Sequence, residues 1–190
     1  MIRWPDIDFE LLRRVNPDVI GWIHLEGTPI SYPVTKGCGD YYLHHNVCRE
    51  ESPHGCIYAE FDGEFPTERF QLHGHNMKDN SMFTNILFYY FEDGFYEKHP
   101  VIDLKTPEAD YGIRVWGTIH YPPGYEFMQC PPKEENAFRK WKKAIKALCP
   151  FEPTFDLALD DDIAVLCTCR PFQDEPYGTL IVVGKVERTK

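Results

Sequence analysis

Two short stretches of this chain combine reactive residue types with neighbours able to present them. In Leu72-His73-Gly74-His75-Asn76-Met77, histidines stand at the end of a strand-like run, beside a glycine and ahead of a polar loop. Ile163-Ala164-Val165-Leu166-Cys167-Thr168-Cys169-Arg170 is an apolar run that ends in a thiol with a guanidinium next to it. Strand ends are places where a rigid scaffold can hold a side chain out to a cleft. Positive charge beside a thiol favours the thiolate, the form that attacks. A cysteine and a histidine delivered by two strand ends suggest nucleophilic acyl transfer, with the imidazole moving the protons. Each stretch also has a plainer reading, as half-buried histidines and as a core cysteine closing a buried strand. His73 and His75 share a strand face and could form a zinc pair, but no third ligand stands near them. A wider zinc set from Cys38, Cys48, Cys56, His44, His45 and His54 is clustered without any standard spacing. No metal and no other cofactor is expected.

The elements that must hold these residues follow from hydrophobic period and turn chemistry. Ile7, Leu11 and Val15 recur every four residues, which predicts a helix over 6–15 with Asp6 as its cap and Asn16-Pro17 as its stop. Short strands are predicted at Val19–Leu25, Ile30–Val34, Gly55–Glu60 and Phe70–His75, with a turn at Glu26-Gly27-Thr28-Pro29 between the first two. Helical rows appear over 82–91 and again over 134–148, where Phe138, Trp141, Ile145 and Leu148 share one side. Tyr111, Ile113, Val115, Gly117 and Ile119 alternate as a half-buried strand does. Two more strands, Ile163–Cys169 and Leu180–Val186, close the chain. About eight short strands with a few helices, not regularly alternating, predict a mainly β protein with a closed or nearly closed barrel.

A chain of 190 residues supports one domain with a substantial core, and 43% hydrophobic content makes it a folding sequence. The formal net charge of −10, with no Lys/Arg cluster, argues against nucleic acid, whose phosphates need concentrated positive charge. Peptides, small molecules or cationic groups fit that balance better. No apolar stretch is long enough to cross a bilayer, and the first residues lack the apolar run of a signal peptide. Seven cysteines, an odd count without a Cys-x-x-Cys pair, weaken the zinc-ribbon and thioredoxin readings. Cys56, Cys130 and Cys149 read as small buried hydrophobes.

Further motifs make the comparison specific. Asn16-Pro17-Asp18-Val19-Ile20-Gly21-Trp22-Ile23, Thr28-Pro29-Ile30-Ser31-Tyr32-Pro33-Val34 and Asp40-Tyr41-Tyr42-Leu43 occur in that order. Gly74-His75-Asn76-Met77-Lys78-Asp79 precedes Ser81-Met82-Phe83, and Val165-Leu166-Cys167-Thr168-Cys169 lies near the end. Together, over about 170 residues, they resemble the class B sortases, a family of cysteine transpeptidases. The last motif is similar to the family's Thr-Leu-Ser-Thr-Cys signature, with Cys167 in place of serine.

The resemblance implies a single sortase-like eight-stranded barrel over 19–190, with residues 1–18 as a helical segment packed on it. It implies Cys169 as nucleophile, His75 as its partner, and the backbone N–H of Arg170 as an oxyanion donor. It implies a sorting-motif peptide of a secreted protein as substrate, and an amine of peptidoglycan or a pilin as acceptor. The enzyme would work at the outer face of the membrane, held by an anchor outside this chain. Leu43, Asn76, Trp141, Ile145, Cys167 and Thr168 are the residues expected to line the substrate groove. For Trp141 and Ile145, packing against the barrel is the competing expectation. One position departs from the family. The arginine expected ten residues after the cysteine is Thr179 here, which lacks its charge and its forked donors. Arg170 could substitute for it. Alternatively, the chain is a catalytically impaired or purely peptide-binding barrel, or a peptidase that passes the acyl group to water.

Overall fold

The structure is a computed structural model that describes residues 6–37, 39–61, 63–66, 68–121, 130–170 and 178–190, with the backbone alone at 169 and 170. In chain order the elements are α1 (Phe9–Val15), β1 (Val19–His24), β2 (Ser31–Lys36), α2 (Tyr41–His44), β3 (Ile57–Glu60) and β4 (Arg69–His73). A 3-10 turn (Thr84–Leu87) then leads into α3 (Phe88–Phe91), α4 (Phe95–Lys98), β5 (Val101–Lys105) and β6 (Asp110–Tyr121). The chain ends with α5 (Glu135–Leu148), β7 (Ile163–Arg170) and β8 (Gly178–Arg188).

The eight strands close into a barrel in the order β1-β2-β3-β4-β7-β8-β6-β5. Closure gives each strand a neighbour on both sides. Two pairings are parallel, β2 with β3 and β4 with β7; the others are antiparallel. Phe70, Leu72, Ala164, Leu166, Leu180 and Val182 point into the barrel, where they form one apolar cluster with Ile23, Val34, Ile57 and Ile102. The alternate residues of β7 and β8, Ile163, Val165, Cys167, Ile181 and Val183, face outward into a second cluster beneath α5. Burial on both faces explains why β7 and β8 are near-continuous apolar runs.

The half-buried alternation expected over 111–119 holds for only part of β6. Val115 pairs with Gly184 and Gly117 with Val183, so Trp116 is an extra residue that shifts the phase of the strand. Ile113 and Val115 face the barrel interior, whereas Trp116, Ile119 and Tyr121 face α5. Gly117 lets the helix sit close. A Cβ there would lie 3.0 Å from Ile145 Cγ2, and the next amide, Thr118 N–H, donates to Cys149 Sγ at 3.4 Å.

Two expectations about the first helix change, and one strand was not expected. The first helix starts at Phe9, and Asp8, not Asp6, accepts the Leu11 N–H at 2.9 Å. Its expected apolar row faces solvent, with Leu11 57% and Val15 53% exposed, and α1 buries none of its residues. The helix is tied to the barrel through Arg13 Nε, which donates to the Val19 carbonyl at 3.0 Å. Strand β5 carried no distinct signal in the sequence, being a five-residue run behind a helix rich in aromatics.

Candidate active site

β4 and β7 run parallel, with His73 paired to Cys167. Their contact continues past the end of β4: Gly74 N–H donates to the Cys167 carbonyl at 3.2 Å, and the Thr168 hydroxyl donates to the Gly74 carbonyl at 2.8 Å. Counting on by two residues from the His73–Cys167 pair matches position 75 with position 169. On the other side of β7, Cys169 pairs with Thr179 of β8, and Thr179 with Tyr121 of β6. Positions 75, 169, 179 and 121 therefore form a row across four neighbouring segments at one end of the barrel. Residues directly opposite one another share a sheet face. Position 169 continues the outward series 163, 165, 167, so the row lies on the outer face, at the edge of the layer that α5 covers.

His75 is held at several points. Its Nε2 lies 2.7 Å from the Leu43 carbonyl. A carbonyl only accepts, so Nε2 carries the hydrogen, and in the neutral ring Nδ1 keeps a lone pair for proton transfer. The His75 carbonyl accepts from Phe83 N–H at 2.8 Å. Gly74 is required by space: a Cβ there would collide with Ile57 Cδ1 and stand 2.8 Å from Phe83 Cδ2. His73 has a different setting. Its ring stacks on Tyr58 at 5.0 Å, its Nε2 lies 3.7 Å from Glu60, and burial pushes its pKa down.

The remaining expected groove residues divide. Leu43 and Asn76 are half-buried beside His75, and Asn76 bridges to Met82. Cys167 and Thr168 are buried, and the Thr168 hydroxyl is engaged by Gly74. Trp141 and Ile145 are 5% and 0% exposed, with Trp141 stacked over Trp116, so packing on the barrel describes both side chains. Arg170 pairs with Gly178 through the backbone.

Among the other thiols, Cys56 is buried as expected, and that burial pushes its pKa up to about 11. Cys149 is partly buried, and burial raises its pKa too. Cys130 corrects the expectation: it is exposed, on the rim of an open cavity of about 800 Å³ near the start of β4, together with Glu60, Arg69, Gln71 and Lys133. Among the described residues no three metal-ligating side chains converge. His54 pairs with Asp79 at 2.9 Å, and His45 stacks on Tyr41. Cys38, one of the zinc candidates, lies outside the described residues.

Sequence reasoning missed two features of the site. Tyr121 follows a phase shift that no local pattern announced. The partner of His75 is the backbone of Leu43, and a carbonyl carries no residue-type signal.

A closed eight-stranded barrel that brings a histidine and a cysteine level on two parallel segments is the framework of a sortase-type cysteine transpeptidase. The chain is 27% identical to sortase B of Listeria monocytogenes over 178 residues, 92% of this chain and 72% of that protein. It is 28% identical to sortase B of Staphylococcus aureus over 181 residues, 94% of this chain and 74% of that one. The structure of a Staphylococcus aureus sortase B–substrate complex matches with a TM-score of 0.83 at 27% identity, covering 96% of this chain and 85% of that one. Clostridium perfringens sortase B shares the fold, with a TM-score of 0.81 over 95% of this chain and 100% of that one, at 24% identity. No protein-family model matches. Over more than nine-tenths of its length the chain is similar to the class B sortases.

Proposed function

We propose that Cys169 is the nucleophile and His75 its proton partner, acting on a sorting-motif peptide of a secreted protein. The observation that supports this reading is the β4–β7 register, in which His73 lies opposite Cys167, so that counting on by two residues matches position 75 with position 169. The thiolate adds to a backbone carbonyl, and the tetrahedral oxyanion collapses with cleavage of the C–N bond. The imidazolium protonates the departing amine, leaving a thioester on Cys169. An incoming amine attacks the thioester, gives its proton to the imidazole and expels the thiolate, so a new amide forms. The Arg170 N–H and the Thr179 hydroxyl are the donors assigned to the oxyanion.

The likeness to a sortase B–substrate complex of Staphylococcus aureus supports a sorting-motif peptide as the substrate here. The acceptor is an amine of peptidoglycan or of a pilin, and the site of action is the outer face of the membrane. Among the described residues no helix is long and apolar enough to cross a membrane. The rival reading, an impaired or purely peptide-binding barrel, rests on Thr179 alone, and relatives named as sortases over nine-tenths of the chain favour the enzyme.

The test is mass spectrometry of enzyme mixed with a sorting-motif peptide. A thioester adduct should form with the wild-type chain and with Cys167→Ser, and be absent from Cys169→Ala. Adding an amine should convert the released product from acid to amide. Full turnover by Cys169→Ala would overturn the assignment, and acid product alone at saturating amine would make the protein a peptidase.

A further inference from the structure

Asn16 and Asp18 of one sequence motif and Tyr42 of another, more than twenty residues further on, meet in a partly buried hydrogen-bond network. Asn16, fully buried at the end of α1, donates from Nδ2 to the Tyr42 hydroxyl at 2.9 Å and to the Val47 carbonyl at 3.0 Å. The Tyr42 hydroxyl donates to Asp18 Oδ2 at 2.7 Å. Arg49 closes the network, donating to Asn16 Oδ1 at 3.1 Å and to Asp18 Oδ2 at 2.8 Å. The Tyr42 ring packs with Cys56 and Tyr58 in a small apolar cluster, and burial raises the phenol's pKa, so it remains a donor.

Tyr42 belongs to α2, a helix of only four residues. One turn cannot hold itself, because nucleation costs more than its few bonds return. Its terminal carbonyls also need partners, and each finds one. Tyr41 O meets His45 Nδ1 at 2.9 Å, Tyr42 O accepts from Cys56 N–H at 2.8 Å, and His44 O accepts from Ser52 N–H at 2.8 Å. Leu43 O is left for His75 Nε2 at 2.7 Å. Gly55 makes the approach possible: its φ is +60°, and a Cβ there would stand 2.8 Å from that same Leu43 oxygen. The carbonyl that fixes the His75 ring is thus aimed by a helix whose inward anchor is the Tyr42 side chain.

We infer that Tyr42, held by Asn16, Asp18 and Arg49, is a positioning residue that aims the Leu43 carbonyl at His75 and so sets the tautomer and orientation of the imidazole. This rests on the assignment of His75 as the proton partner of Cys169. Tyr42 touches no reacting atom; it acts through the backbone of its neighbour.

Tyr42→Phe keeps the ring and its packing and removes the hydroxyl. The expected result is a fall in kcat of about threefold to tenfold, the scale of one lost hydrogen bond, with KM for the peptide little changed. The ¹⁵N spectrum of the imidazoles supplies a readout that a general loss of stability would not move. In the wild type the His75 Nε2 signal, assigned by its loss in His75→Gln, should be that of a protonated nitrogen, and in Tyr42→Phe it should shift toward a mixture of tautomers. Tyr96→Phe, which removes a hydroxyl bonded to Thr154 far from α2, should change neither kcat nor the His75 signal. Asp18→Asn, at an exposed corner of the network, should move both in the direction of Tyr42→Phe by a smaller amount. An unchanged His75 signal in Tyr42→Phe overturns the inference while leaving His75 catalytic, whereas full activity in His75→Gln overturns the assignment beneath it.

Discussion

His73 and His75 stand two residues apart and differ in what their rings meet. His73 lies over Tyr58 with its Nε2 toward Glu60, and burial disfavours its charged form. His75 is braced at Nε2 by a carbonyl, and it lies two residues beyond the His73–Cys167 pair, as Cys169 does. His75→Ala should therefore lower acylation by about 10²–10⁴, the usual contribution of a general acid–base, while His73→Ala should leave it within a few-fold; single-turnover rates for the pair decide. Thr179 pairs with Cys169, the proposed nucleophile, where a guanidinium would serve both the oxyanion and the thiolate. Thr179→Arg should raise the acylation rate by up to about 10²-fold. If Arg170 already supplies that charge, Thr179→Arg will do little and Arg170→Ala will be the damaging change. Equal rates in all three proteins would remove both side chains from the oxyanion's environment. At this scale the sequence was informative because thiol, imidazole and the missing guanidinium are residue types. The brace on His75 was illegible because it is main chain.

Element by element, legibility followed how many faces each element buries. Helix α5 has one apolar stripe and was readable almost to its ends, Glu135–Leu148 against an expected 134–148. β7 and β8 were readable as continuous apolar runs. β6 was misread in phase, since the extra residue at Trp116 sends Val115 and Ile119 to opposite faces. In α1 a spacing of four was mistaken for a packing face, although Leu11 and Val15 are exposed. The two expectations for α5, groove wall and barrel packing, predict different consequences for one substitution. Trp141 is buried against Trp116 and Phe138. Trp141→Ala should lower stability by about 3–5 kcal/mol, the cost of emptying a large aromatic site, as measured by urea unfolding. Acylation by the folded protein at low temperature should stay within a few-fold of wild type. A large loss of acylation with little loss of stability would instead make Trp141 part of the groove wall.

For the whole molecule, stability comes from barrel closure and two apolar layers that share β7 and β8, one inside the barrel and one beneath α5. Among the described residues, Cys48, Cys56, Cys130 and Cys149 are free thiols. Their environments divide them by accessibility. Cys48 and Cys130 are exposed, whereas Cys56 and Cys167 are buried and Cys149 is partly so. The thiolate is the form that reacts. Cys56 is pushed up to about 11 by burial, so at neutral pH it is almost wholly protonated as well as shielded. Its folded-state value lies above that of a free thiol, so folding disfavours its ionisation, and this group's contribution to stability falls as pH rises toward 11. A maleimide pulse at pH 7 followed by peptide mapping should therefore modify Cys48 and Cys130 quickly and Cys149 slowly. Cys56 and Cys167 should react only when urea unfolds the barrel, and they should do so at the same urea concentration, because the small cluster around Cys56 and the layer under α5 both rest on strands of the one closed barrel. Labelling of Cys167 well below the midpoint for Cys56 would mean that the layer under α5 opens separately from the barrel. The nucleophile position would then sit on a face that loosens before the fold is lost.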